Sequence, residues 1–359
     1  MARRTIQLAF ALFGLLIDPV MALDEFFDSY QSGSCLAQGN ACTASVSGYA
    51  SHFYNPAGFT RFRRKNTELH LVVGEAQTSG STAGIVLENK AIGLHHLLSP
   101  FQDNPDQYQF LSISTLPAIT FRNFSFAILG NTQVAALSNG SAIDIDARQD
   151  IIPSLGYSHA FAGNILRLGI SVKGLYRNQM KGVFQHSAIN NLTETELGSL
   201  FREGMGLRAD TGLLLVLPHR FLPTLGISWM NMFDTHFQET HYLNSQSSGA
   251  PEKIPQSFHV GFSISPKFNR EWSSTLSIDY RNIESYYFPW RKHLHIGLEL
   301  QRDNVLFFWA GLNQMYFTGG MGARLKGGHL ELGTYAKDIG AGNSYQEDRR
   351  YFLRYTISF

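Results

Sequence analysis

Charge is scarce in this chain. Asp, Glu, Lys and Arg make up 16% of its 359 residues, against the ~25% usual in soluble domains. The 29 basic and 28 acidic side chains balance to a formal net charge of +1. That balance leaves no basic surface for nucleic acid as the main partner. Cysteine is nearly missing too, with only Cys35 and Cys42. Nothing after Ala22 reaches the ~18 continuous apolar residues that a spanning helix needs. Motifs that carry chemistry are also lacking: there is no P-loop and no H-E-x-x-H. Gly226-Ile227-Ser228-Trp229-Met230 lacks the closing glycine of a nucleophile elbow. No enzyme activity, no cofactor and no metal site is expected.

What the chain does have is glycine and aromatics, with 33 Gly, 27 Phe and 15 Tyr. Its mean hydropathy is nevertheless only −0.11. The combination excludes disorder, a coiled coil and a bundle of apolar helices. It fits a β-rich protein with many turns, or one whose second face meets lipid.

The N-terminus reads as a secretory leader. Met1-Ala2-Arg3-Arg4 is a basic start, residues 5–20 are mostly apolar, and Val20-Met21-Ala22 offers a small residue at the cut. The other reading, an uncleaved membrane helix, is interrupted early by Asp18 and Pro19. Residues 1–22 are therefore assigned to the leader. In an oxidising compartment the two cysteines read as a small disulfide loop, with a free reactive pair as the alternative.

The strand signal is clearest at the C-terminus. Tyr351, Leu353, Tyr355, Ile357 and Phe359 share one face, while Arg350, Arg354, Thr356 and Ser358 share the other, with Phe352 among them. A last strand with alternating apolar residues that ends in Phe359 resembles the assembly signal of bacterial outer-membrane barrels. A sandwich edge strand is the soluble alternative. The same period-two pattern recurs in 166–177, 258–265, 274–281 and 291–301. Aromatics such as Tyr286, Tyr287, Phe288 and Trp290 suit strand ends at a membrane–water interface. Short turn signals at 162–164, 269–271, 302–304 and 326–328 fit one rim. The longer polar stretches 99–107, 178–202, 239–253 and 338–348 fit the other, with a short helix expected at 193–201. The expectation is an all-β, transmembrane antiparallel β-barrel over 66–359 with about 14 strands, assuming ~9–11 residues per crossing.

Residues 23–65 do not read as barrel. They carry small residues and the run Phe53, Tyr54, Asn55, Pro56, Ala57, Gly58. Asn55-Pro56 restricts the backbone and Gly58 permits a tight turn. A plug or hatch inside the lumen is one reading, and a periplasmic tail is the other. Gly39-Asn40-Ala41 followed by FYNPAG at 53–58 resembles the N-terminal signature of the FadL/TodX long-chain fatty-acid transporter family and its wider relatives. Those relatives include PorV-like and TraF-like barrels, and the segments at 310–325 and 347–359 resemble the TraF-like and uncharacterised members. The resemblance implies a 14-strand barrel in the bacterial outer membrane with an N-terminal hatch. In the transporter members, hydrophobic molecules pass through the lumen and out laterally into the membrane.

The polar strand faces bring Asp279, Arg281, Glu299, Glu331, Arg350 and Arg354 toward one lumen. There they either satisfy one another as ion pairs or form a ligand site. His293 and His295, on one face, read as lumen polarity rather than a metal pair. Two functions stand from this. One is passage of hydrophobic or amphipathic small molecules. The other is a non-transporting barrel acting as a structural or secretion-assembly partner of another protein. The glycine-rich hatch argues against a third, a general porin. The expected partners are outer-membrane lipid and the barrel-assembly machinery, with a hydrophobic ligand or a protein partner according to the function. Deleting Phe359, or substituting Phe359→Asp, should sharply reduce the heat-modifiable barrel in outer-membrane fractions. Normal levels in either variant would refute its role as an assembly signal.

Overall fold

The computed structural model describes residues 25, 28–61, 68–82, 108–121, 123–138, 142–185, 194–340 and 345–358. The leader at 1–22, the stretch 99–107 and Phe359 lie outside the described residues. The strands are β1 (Glu68–Ser79), β2 (Tyr108–Thr115), β3 (Ala118–Thr120), β4 (Phe124–Ser138), β5 (Ala142–Phe161), β6 (Leu166–Gln185), β7 (Arg202–Val216) and β8 (Thr224–Met230). They continue with β9 (Phe237–Glu239), β10 (Ser257–Ile264), β11 (Trp272–Tyr280), β12 (Leu294–Arg302), β13 (Leu306–Asn313), β14 (Tyr316–Leu325), β15 (Gly328–Asp338) and β16 (Glu347–Ser358).

Each strand pairs antiparallel with its neighbour, and β16 pairs back onto β1 from His70↔Ser358 to Ser79↔Arg350. Closure leaves no open edge, which is the condition for strands to cross a lipid core. β2 and β3 share the neighbours β1 and β4, so they form one stave interrupted at Leu116-Pro117. β9 pairs with β7 on the edge that β8 occupies further along, so β8 and β9 form one stave, interrupted at 231–236. The ring therefore has 14 staves.

Alternation along each stave sorts the side chains. In β5, Ile151 and Leu155 point outward, 46% and 57% exposed, while Asp150, Ser154, Gly156 and Ser158 point inward. In β16, Tyr351 and Leu353 face out, Tyr355 and Ile357 lie on the same side, and Arg350, Phe352, Arg354 and Thr356 face in. An outer wall of aliphatic and aromatic side chains over a polar lumen is what lipid outside and hydrogen-bonding partners inside require. It is the inverse of a soluble sandwich.

The two rims differ. Asp303 and Asn304, both at positive φ (50° and 57°), close the β12–β13 hairpin. They are the central pair of a turn closed by Val305 N donating to the Arg302 carbonyl at 2.9 Å, within a three-residue connection, and positive φ at both suits the right-handed twist of the strands. The longer connections, including 231–256 and 281–293, lie at the opposite rim. Within the stretch 178–202, expected to be polar loop, β6 instead continues to Gln185, paired with β5 throughout 142–149. At 20 residues each, these strands are about twice as long as a membrane crossing needs, ~9–11 residues. Their ends beyond the membrane are stable because Val134, Ile143, Ile145, Met180 and Phe201 pack together there. The short helix at Glu194–Ser199 follows. Tyr286, Tyr287 and Trp290 are exposed at this loop rim, but Phe288 turns inward beneath the Lys292 ammonium, 5.0 Å from its ring.

Candidate functional site: the lumenal plug

Residues 28–61 fill the lumen. The segment begins with a one-turn helix, Gly33–Ala37, closed onto the following loop by the Cys35–Cys42 disulfide (Cα–Cα 5.9 Å). Gly39 and Asn40 turn that loop at positive φ, 64° and 63°. A second short helix, Ser51–Tyr54, leads through extended Asn55 (φ −159°, ψ 108°) into a 3-10 turn at Pro56–Arg61. These pieces are too short to hold themselves, so their stability comes from the wall.

The wall receives the plug at a succession of glycines. A Cβ on Gly169 would overlap the Pro56 and Ala57 backbone, and one on Gly212 would overlap the Asn55 side chain. Gly226 faces Thr43 and Ala44, Gly297 faces Gln38, and Gly311 faces Gln38 and Gly39. At Gly320 a Cβ would stand 3.1 Å from that of Ala37. These glycines lie on β6, β7, β8, β12, β13 and β14. Plug backbone therefore rests on wall backbone with no side chain between them. Gly58 belongs to the same scheme. Its φ is not in the left-handed region, and a Cβ there would meet Ser51 Oγ at 2.5 Å and the Val46 carbonyl at 2.7 Å. It closes the turn expected there, with its N–H donating to the Asn55 carbonyl at 2.9 Å, but what requires glycine is the close approach rather than a left-handed φ.

Close approach lets backbone polar groups be shared. Thr43 N donates to Asp279 Oδ2 at 2.7 Å. Gly39 N donates to Thr318 Oγ1 at 3.0 Å, whose hydroxyl donates to the Ala37 carbonyl at 2.9 Å. His295 Nδ1 donates to the Gly39 carbonyl at 2.9 Å. The Asn55 amide does the most. Its Nδ2 lies 3.0, 3.2 and 3.3 Å from the carbonyls of Thr43, Leu213 and Ile227, and its Oδ1 accepts from Ala57 N at 3.1 Å. One side chain thus ties the plug's two halves to β7 and β8. Pro56, Ala57 and Phe59 are buried behind it.

His52 spans two serines, Ser171 Oγ at 3.0 Å from Nδ1 and Ser125 Oγ at 3.1 Å from Nε2. A neutral imidazole has one donor and one acceptor nitrogen, which suits two hydroxyls. Burial, reinforced by the charge of Lys173, holds His52 well below its ordinary pKa. Lys173 donates to the His52 carbonyl and to Asp210, and its ammonium lies 4.8 Å from the Phe53 ring centroid. Phe53 packs edge-on against Tyr30 (5.2 Å). Tyr54 donates its hydroxyl to Asn40 Oδ1 at 2.7 Å and lies under the Arg281 guanidinium.

All six charged residues expected in the lumen face it, and each meets plug or wall groups there. Arg281 pairs with Asp28 at 3.3 Å. Burial alone would raise the Asp28 carboxyl, but Arg281, Lys337 and His259 outweigh it and hold it below the usual carboxylate range. Arg354 joins Glu331 at 2.6 Å and Ser32 Oγ at 2.6 Å. Arg350 joins Asp348 and Glu25, each at 2.6 Å. Glu299 accepts from Trp309 Nε1 at 2.8 Å and from Gln38 at 3.4 Å. The sequence reading had not placed Lys173, Arg208 and Asp210, or Asp28 and Glu25, in this network. Their wall members occupy polar positions of alternating strands, which was the available signal.

Next to the polar network lies an apolar seam. Val46 and Phe53 of the plug meet Leu116, Ala118, Leu129, Ile152 and Leu175 of the wall. Above the plug, a cavity of about 340 Å³ at the loop side is lined by charged and polar groups that include Asp146, Arg148, Arg177 and Glu252.

No protein-family model matches this sequence, and none of the curated proteins does. Solved structures do match. The Ralstonia pickettii toluene transporter TbuX is 13% identical with a TM-score of 0.54, over 94% of this chain and 99% of that one. The CymD monoaromatic hydrocarbon channel is 11% identical with a TM-score of 0.53, over 91% and 97%. The Pseudomonas putida toluene transporter TodX is 13% identical with a TM-score of 0.50, over 92% and 98%. At these identities the likeness is one of fold.

The plug's seating generates two expectations. Asn55→Ala should lower the unfolding free energy by about 1–3 kcal/mol. Asn55→Asp, nearly the same shape but unable to donate, should cost more, because it sets a carboxylate against three carbonyls. Chemical unfolding followed by heat modifiability compares them, and an Asp variant as stable as wild type would sink this role. Gly169→Val should leave the barrel assembled but unseat residues 55–57, read as new protease cleavage in the plug; an intact, resistant plug would refute the close-contact account.

Proposed function

We propose that this barrel, which has the fold of the FadL/TodX-like outer-membrane channels, passes hydrophobic or amphipathic small molecules across the bacterial outer membrane. The observation that carries the proposal is the apolar seam between plug and wall, which ends at the stave interrupted at Leu116-Pro117. Leu116 is fully buried in that seam and Pro117 follows it. The β1 ladder pairs Glu75↔Ser114 and resumes only at His70↔Ala118, and on its other edge β1 shifts register against β16 between Val72 and Gly74. The wall ladder to β1 is thus interrupted beside the apolar seam. A hydrophobic molecule displacing side chains along the seam would reach lipid through this break, without crossing the charged part of the lumen. The transport described for TbuX, TodX and CymD agrees with this reading. The apolar outer wall would contact outer-membrane lipid, and β16 would engage the assembly machinery.

A second reading, a non-transporting barrel that serves another protein, is favoured by one observation: the loop-side cavity is lined by many charged groups, among them Asp146, Arg148, Arg177 and Glu252, beside Ile254, Pro255 and Phe288. Uptake by cells or vesicles carrying the protein separates the two. A monoaromatic or acyl probe should enter faster than in empty controls. Leu116→Arg should cut that excess at least tenfold while leaving the barrel folded. Uptake equal to the empty control, together with a stoichiometric co-purifying protein, would establish the second reading.

A further inference from the structure

The chain is nearly neutral, yet positive charge gathers on one arc of the turn rim. The β7–β8, β10–β11, β12–β13 and β14–β15 connections follow one another around that rim. In or beside them stand Arg220, Lys267, Arg270, Arg302, Arg324 and Lys326, all exposed. The acidic residues of these connections, Glu271 and Asp303, both lie beside Arg302. Arg220, Lys267, Arg270, Arg324 and Lys326 have no carboxylate partner among the described residues. The excess belongs to this arc. The β5–β6 connection at Ala162–Asn164 carries no charge, and the loop rim sets Glu239, Glu252, Glu284 and Glu347 among its basic residues.

Apolar groups accompany the cations. The Arg302 guanidinium lies over Trp272, 5.7 Å from its ring centroid, and Arg220 lies over Phe221 at 4.3 Å. Phe268 is 67% exposed and Leu325 58%. Leu325 shares the outward face of Met321 on β14, and Leu306 shares that of Phe308 on β13. The apolar outer wall therefore runs up to the charged turns. A basic side chain at such an edge lays its stem along the apolar surface and carries its charged head into the polar layer beyond. Hairpins repeat every two strands, ~10 Å apart at a strand spacing of ~4.8 Å, so these heads form a line along the membrane edge and not a pocket.

We propose that this arc holds anionic phospholipid of the leaflet that faces the periplasm. Short turns mark the periplasmic rim of a barrel, and basic residues beside a membrane each attract anionic head groups. A phosphate diester with no compensating amine supplies the negative charge that the arc lacks, while its acyl chains cover Trp272, Leu306 and Leu325. An acidic protein would answer the charge but not these side chains, which lie on the outer wall of the barrel where lipid is. The arc is separate from the seam and does not depend on what passes the lumen.

Native mass spectrometry tests this on the purified full-length protein, released from micelles that hold equal amounts of phosphatidylglycerol and phosphatidylcholine with the same acyl chains. Phosphatidylglycerol should be retained over phosphatidylcholine by about fivefold or more, and by less when the lipids are mixed at high ionic strength. Arg220→Gln, Arg270→Gln and Lys326→Gln together should bring the two lipids close to parity while the barrel stays heat-modifiable. Arg202→Gln at the loop rim should keep the wild-type preference. Equal retention of both lipids by the wild-type protein overturns the proposal and leaves the arc to an acidic protein. An unchanged preference in the triple variant overturns it as well.

Discussion

Everything inside this barrel depends on backbone packed against backbone. The plug crosses the lumen where the wall has glycine, so two main chains approach at distances that a single Cβ would forbid. Buried backbone N–H and C=O groups are costly to leave unpaired, and at this range each finds a partner across the interface. Thr43 uses Asp279, Gly39 uses Thr318 and His295, and the carbonyls of Leu213 and Ile227 share Asn55. A plug held this way does not slide by small steps. Any displacement exposes several unsatisfied groups together, so the docked and undocked arrangements are discrete states, as expected of closely packed interfaces.

Ion pairs then fix the plug's orientation. Arg281 holds Asp28, Arg354 reaches Ser32, and Arg350 reaches Glu25. Buried ion pairs of this kind add little net stability over apolar packing, but losing one partner strands a charge at a cost of about 3–5 kcal/mol. The lumen's mixed signs are therefore better understood as specificity for one docked pose than as adhesive. The low overall charge of the chain follows. An interior lined by paired charges needs few of them, and an outer wall in lipid needs none.

Much of this was legible in the sequence, for definite reasons. Period-two alternation placed Arg350 and Arg354 inside and Tyr351 and Leu353 outside, because a closed barrel has only two faces. The stave count was legible because the crossings repeat at membrane thickness. The FYNPAG run stands out in the sequence, and its Gly58 closes the turn from Asn55, but its close contacts with Ser51 and Val46 are not visible there. One-dimensional sequence shows that a glycine is present, not which clash it avoids. Gly169, Gly261 and Gly297 sat on polar faces of alternating strands, and only the three-dimensional ring shows Gly169 and Gly297 as part of one seat. The extension of β6 to Gln185 was hidden for a related reason. Its polar sequence looks like loop until Met180 is seen packed with Ile143 and Phe201. Partners such as Lys173 and Asp210 are 37 residues apart, and only strand register brings them together.

The plug itself is two-sided, and that asymmetry reconciles a charged lumen with a path for apolar molecules. Toward β2 through β6 it presents Val46, the disulfide and Phe53 to Leu116, Leu129, Ile152 and Leu175, with His52 bridging Ser125 and Ser171 beside them. Toward β15, β16 and β1 it presents Ser32 and the Tyr30 hydroxyl to Arg354 and Glu75. Hydrogen bonds and ion pairs have narrow geometric tolerances, whereas apolar contacts are individually weak and non-directional. Side chains along the first face can therefore rearrange at modest cost while the second face keeps the plug anchored. A guest that is itself apolar replaces the contacts it disturbs, which a polar guest cannot do. The same anchoring that makes wholesale plug loss expensive would, under the proposed passage function, favour molecules able to follow its apolar side.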